Sequence, residues 1–101
     1  MAHGGAWTDE HQLYLVVMKL ATRYSWRAIA ALFQVRFNSA ATSKDCESKF
    51  NKDLKKTKMF KVLNNFFANG EVPEEGKDEE RRFLAIGLLL LGETAEEMRR
   101  R

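Results

Sequence analysis

Trp7, Trp26 and Phe50 punctuate the first half of the chain, and each ring is attached to its own run of helically spaced apolar residues. The intervals between them are 19 and 24 residues, room for one short helix and a turn each. Rings of this size bury large areas only where the helices carrying them converge, so the spacing points to a small three-helix bundle. The helical period persists beyond Phe50, and the expected fold class is all-α.

The helix starts are legible. Thr8 is expected to cap the first helix, with Asp9 and Glu10 following at the positive end of the helix dipole. Leu13, Val16, Val17 and Leu20 recur at helical spacing. Trp7, just before the cap, is placed to fold back onto that stripe. His11, in the first turn, is expected to be exposed. The helix should fade over residues 22–24. Ser25 caps a second helix, in which Trp26, Ile29, Ala30 and Phe33 share one face. Residues 35–43 carry no clean period and are expected to be a connection, with Phe37 at the edge of the core.

Thr42 or Ser43 opens a third helix, where Cys46, Phe50 and Leu54 recur every four residues as a narrow apolar stripe. At about 100° per residue, Lys44, Ser48, Lys52 and Lys55 fall roughly opposite that stripe. Glu47 and Asn51 flank this outer face on one side, Lys49 and Lys56 on the other. Seven lysines stand against three acids between Lys44 and Lys61.

After Leu54 the apolar phase shifts to Met59, Phe60, Val62, Leu63, Phe66 and Phe67. The shift predicts a kink or a separate fourth helix from about Lys58, stopped at Asn69-Gly70. Residues 71–77, with Pro73 and Gly76, form the one clear linker. A fifth helix is predicted over 78–91. Its second half, from Phe83 to Leu91, is apolar all round, and such a helix is buried on several sides. It packs either on the fourth helix or on another chain. Gly92 is expected to end it, and Thr94 with Glu97 to form a capping box for a further helix. Two parts are expected: a three-helix domain over 1–57 and a helical extension over 58–101.

The net charge of +3 is unevenly spread. Residues 1–69 carry 11 Lys and Arg against 5 Asp and Glu, whereas residues 70–101 carry 6 against 9. The half that attracts polyanions is therefore N-terminal. The single cysteine, Cys46, excludes an internal disulfide and a cysteine-based zinc cluster, and fits a reducing compartment, cytosol or nucleus. His3 and His11 add too few ligands for a metal site. No glycine-rich phosphate loop occurs, and no cofactor is expected. The adjacent acids Asp9-Glu10 and Glu79-Glu80 point to different sides of their helices and make poor acid–base pairs. Neither catalytic residues nor an enzymatic activity are expected. The longest apolar stretch falls far short of the roughly 20 residues that cross a bilayer, so no membrane partner is expected.

The segments Trp7-Thr8-Asp9-Glu10, Trp26-Arg27-Ala28-Ile29-Ala30 and Lys44 to Leu54 together resemble a Myb/SANT domain over about residues 7–56. Members open with Trp-Ser/Thr-x-Glu and carry a second Trp before an Ile-Ala pair. Their third aromatic has a Cys or apolar residue four positions before it and a Leu four after. The resemblance implies a helix-turn-helix variant closed on the three rings, and a nuclear protein that sets its third helix into the major groove of double-stranded DNA. Base contacts would then come from Glu47, Ser48, Asn51 and Lys52, and backbone contacts from Lys44, Lys49, Lys52, Lys55 and Lys56. The chain departs from the family in two ways. The second interval is longer than usual, implying an insertion around residues 36–42. Glu47 also stands where DNA-binding members often have a basic residue, and a carboxylate there accepts from cytosine but repels phosphate. These departures imply an alternative, a SANT-like module binding histone tails or a chromatin-complex subunit, with a homodimer or partner subunit held through residues 78–91.

Overall fold

The computed structural model describes residues 6–99; the expectation for His3 lies outside them. The described residues form five α-helices joined by short turns, with no strand among them. The all-α class holds.

Helix α1 (Asp9–Ala21) starts at Thr8. The Thr8 hydroxyl accepts from the His11 backbone N–H, and His11 Nδ1 accepts from the Thr8 N–H, both at 3.2 Å. A histidine thus fills the place that Glu or Gln takes in the usual capping box. Its ring is half-buried rather than exposed, edge-on to Phe37 at 4.5 Å and against Phe33 at 5.4 Å. Beyond the cap, every residue from Leu13 to Met18 is buried. The expected one-sided stripe becomes a helix covered all round, because α1 is packed by α2 (Trp26–Phe37) on one hand and by α4 (Lys58–Asn69) and α5 (Asp78–Arg99) on the other. Leu20, counted in the stripe, is only half-buried.

Helix α2 is capped by Ser25, whose Oγ accepts from the Ala28 N–H at 3.2 Å. It buries Ile29, Ala30 and Phe33 and leaves Trp26 half-buried. The helix runs to Phe37, three residues into the segment expected to be a connection. Phe37 holds that extra turn by packing on Tyr14 at 5.4 Å and on Phe33 at 4.8 Å. Asn38 then takes the left-handed conformation (φ 50°) and closes the helix, as Asn tolerates better than most residues. The remaining turn is tied down: the Gln34 side-chain amide donates to the Ala41 carbonyl, Ser39 Oγ accepts from the Ala41 N–H, and Ala41 is fully buried.

Helix α3 (Ser43–Lys52) is capped by Thr42, with Asp45 completing a capping box. Cys46 and Phe50 are buried on its inner edge, and it lies chiefly against α2. The α-helix stops at Lys52, and Leu54–Lys56 form a single 3-10 turn that drives Leu54 into the core. Thr57 caps α4, a new helix from Lys58 as the phase shift predicts. Gly70, at φ 72°, ends it, its N–H donating to the Phe66 carbonyl at 2.8 Å.

Helix α5 is 22 residues long and does not stop at Gly92. A glycine inside a helix costs only about 1 kcal/mol, and the next turn is held from within the core. Thr94, expected as a cap, is buried mid-helix with its hydroxyl bonded to the Leu90 carbonyl at 2.9 Å and to the Tyr14 hydroxyl at 3.2 Å. Phe83, Leu84, Gly87 and Leu90 complete the buried side, which packs on α1 and α4. The apolar stretch is therefore one-sided in place, and Leu89 on its far side is 61% exposed. A single core cluster contains residues from all five helices.

Candidate nucleic-acid interface

The outer face of α3 is open. Lys44, Glu47, Asn51 and Lys52 are exposed, and Ser48 is half-buried among them. The helix is held from behind by Cys46 and Phe50, with Phe50 only 4% exposed. Helix α5 packs on α1 and α4, away from this face.

The ion pairs explain why the face keeps its charge. Three carboxylates of the acidic C-terminal third, Glu79, Glu80 and Glu93, pair with cations away from it. Glu79 and Glu80 lie 3.0 and 3.7 Å from Lys58 Nζ, and Glu93 lies 2.6 Å from the Arg36 guanidinium, with Glu10 at 3.7 Å. The hydrogen bond that Lys58 donates to Glu79 raises the lysine's pKa. Lys44, Lys52, Lys55 and Lys56 make no ion pair among the described residues.

The lysines expected on one surface separate into three groups. Lys44 and Lys52 belong to the open face with Glu47, Ser48 and Asn51. Lys49 turns inward: its side chain is 21% exposed, with Nζ 3.1 Å from Asp53 Oδ2 and 5.9 Å from the Trp7 ring centre. There it clamps the segment before α1 onto α3. Lys55 and Lys56 lie on the 3-10 turn, not on α3. Lys55 Nζ sits 5.8 Å from the Phe50 ring centre, whereas Lys56 lines a cleft of about 460 Å³ at the start of α4 with Lys58, Lys61 and Lys77 and the carboxylates Glu71 and Glu80.

Lys55 belongs to an array that the sequence alone does not reveal. Lys19 Nζ stands 5.1 Å from the Trp26 ring centre, and Trp26 packs on Phe50 at 5.2 Å. Phe50 in turn meets Phe60 at 5.8 Å. Two ammonium groups therefore flank a stack of rings, with the exposed Arg27 next to Trp26 in the chain. A cation over an aromatic face is favourable by about 0.5–1 kcal/mol at exposed sites, and the arrangement keeps both amino groups near the surface. Lys19 could have been suspected only as a cation suited to the last turn of α1. Trp7 packs on Phe33 at 5.6 Å and on His11 at 6.4 Å.

Burial pushes the Cys46 thiol up to about 11, with a smaller push from the Asp45 carboxylate. It is a protonated core group at neutral pH, without the thiolate that nucleophilic chemistry needs. Among the described residues no three His, Cys, Asp or Glu side chains converge as metal ligands, and no helix is long and apolar enough to cross a membrane.

Compared with family models, curated proteins and solved structures, the chain matches none.

Proposed function

We propose that the chain is a nuclear, Myb-like DNA-binding domain acting in transcription or chromatin regulation, with α3 as the helix that enters the major groove. Residues 1–57 are its DNA-binding part, and the helices that follow brace α1. The observation that carries this reading is the open α3 face: Lys44 and Lys52 make no ion pair among the described residues and lie around Ser48 and Asn51, on a helix anchored from behind by Phe50. Lys44, Lys52 and Lys55 neutralise phosphates, and each contact releases condensed counterions. Asn51 has the amide geometry for adenine, and Glu47 can accept from cytosine. Lys49 positions the N-terminal segment against α3 instead of reaching for the backbone. Lys56 serves phosphates farther along the duplex, from the cleft beside α4.

One observation favours a second reading, a SANT-like module for histone tails or a chromatin-complex subunit: Glu47 is exposed in the middle of the face. A histone tail is itself basic, however, and the lysines around Glu47 repel it. The two readings separate in a direct competition. The domain is titrated with a labelled random-sequence duplex and, separately, with a basic histone-tail peptide at the same ionic strength. Tighter binding to the duplex supports the DNA reading; binding to the peptide alone replaces it with the second.

A further inference from the structure

Helix α5 buries one edge through Phe83, Gly87, Leu90 and Thr94. At about 100° per residue the opposite edge carries Arg81, Ala85, Leu88, Leu89, Gly92 and Glu96, all of them exposed. This edge reads as a palindrome of complementary residues about the midpoint between Leu88 and Leu89. Leu88 mates with Leu89, Ala85 with Gly92, and Arg81 with Glu96. One turn farther out, still on the same face, Asp78 mates with Arg99.

We propose that α5 pairs with α5 of a second copy of this chain, antiparallel, across a two-fold axis at Leu88 and Leu89. In an isologous pair each contact occurs twice. Arg81 of each copy then faces Glu96 of the other, and Asp78 faces Arg99. A parallel pair would instead set Arg81 against Arg81 and Glu96 against Glu96. Within one copy, Glu96 and Arg99 approach each other at 4.0 Å, and both side chains remain largely exposed, as in ion pairs that contribute little to stability.

Packing supports the same occupant. Leu89 is 61% exposed and Leu88 36%, and the small residues Ala85 and Gly92 flank them, allowing two helix backbones to approach closely. Gly92 has no packing reason inside its own copy, since a Cβ there would meet nothing within 4 Å. Gly87, on the buried edge, is the contrast: a Cβ there would meet Leu63 Cδ2 at 2.9 Å. Shallow grooves flank the exposed edge, one lined by Val72, Glu75, Asp78 and Arg82, the other by Asp9, Glu10, Arg82 and Ile86. A helix of this length spans about 33 Å. A seam made of one helix pair lies at the small end of specific interfaces, so the dimer is reversible and concentration-dependent. The pairing is independent of what α3 binds.

The test is sedimentation velocity on the full chain from micromolar to sub-millimolar concentration, with circular dichroism to confirm that each protein is folded. Wild type, Arg81→Glu and Glu96→Arg are run alone, and the two variants are run as an equimolar mixture. Each variant alone places like charges across the axis and should dimerise at least about tenfold more weakly than wild type. In a mixed dimer the carboxylate introduced by Arg81→Glu meets the guanidinium introduced by Glu96→Arg, and the native Arg81 of one copy meets the native Glu96 of the other. The mixture should therefore recover association close to the wild-type level. A monomeric wild type throughout, variants that dimerise as well as wild type, or a mixture that gains nothing over its components would each overturn the proposal.

Discussion

Tyr14 and Thr94, eighty residues apart in the chain, meet through their hydroxyl groups at 3.2 Å in the buried seam between α1 and α5. Both side chains are almost completely enclosed, and the Leu90 carbonyl takes the remaining bond of Thr94. The pair pins the last turns of α5 to the centre of the bundle and carries the helix through Gly92. The two deletions should differ. Tyr14→Phe leaves Thr94 bonded to Leu90 and should cost about 1 kcal/mol, whereas Thr94→Val strands a buried phenol and should cost up to about 3 kcal/mol. Urea denaturation at neutral pH measures both; equal costs would contradict this account of the seam.

The two helix-interior glycines of α5 should respond in opposite directions. Gly87 lies where α5 packs on α4, and a Cβ there would come within 2.9 Å of the buried Leu63 side chain. Gly87→Val should destabilise by about 1–3 kcal/mol through overpacking. Gly92 faces open space, so Gly92→Ala should stabilise by up to about 1 kcal/mol through helix propensity alone. Thermal melts at low protein concentration, where self-association is negligible, check the two signs.

Phe33, rather than either tryptophan, is the ring on which the bundle closes. It is fully buried and packs against Trp7, His11, Tyr14 and Phe37. Phe33→Ala should cost about 3–5 kcal/mol, a large part of the about 5–15 kcal/mol available to a domain. Trp26→Ala should cost less, because that ring is only half-buried. Urea midpoints rank the two variants, and the reverse order would restore Trp26 to the centre.

What is legible in the sequence follows from the range of the forces involved. Caps are local chemistry, so Thr8, Ser25 and Thr42 mark helix starts that fall within a residue of the periodic pattern. The phase shift after Leu54 likewise marks a real break. Long-range packing is not legible. Gly92 and Thr94 look like a stop and a restart until Tyr14 supplies a buried partner, and Phe37 looks like loop until Tyr14 and Phe33 supply rings to stack on. The inner edge of α3 is visible because Cys46 and Phe50 share one period. The inward turn of Lys49 is not, because Trp7, forty-two residues earlier, reaches it from another part of the chain. Lys19 escapes notice for the same reason: its ring partner lies on another helix.

Cys46 gives the fold a signature at high pH. Its thiol pKa rises from 9.0 to about 11 on burial. The unfolded chain therefore releases this proton first as pH rises, and the folded state loses stability. The contribution is fully present below pH 9 and should be gone above about pH 11, a loss on the order of 2 kcal/mol. Tyr14, also raised by burial, adds a loss of the same sign above pH 10. Urea midpoints at pH 8 and at pH 10.5 in reductant, for wild type and Cys46→Ala, isolate the thiol. A Cys46→Ala slope as steep as that of wild type would contradict the assignment.

The salt dependence of duplex binding tests the central claim most directly. Affinity for duplex DNA is measured across a range of salt concentrations for wild type and for Lys52→Ala/Lys55→Ala, two exposed positions outside the core. If α3 and the turn after it hold phosphates, the double variant binds more weakly and the slope of log affinity against log salt shrinks by about 2, close to 0.9 for each lost contact. An unchanged affinity and slope would contradict the docking of α3 on DNA.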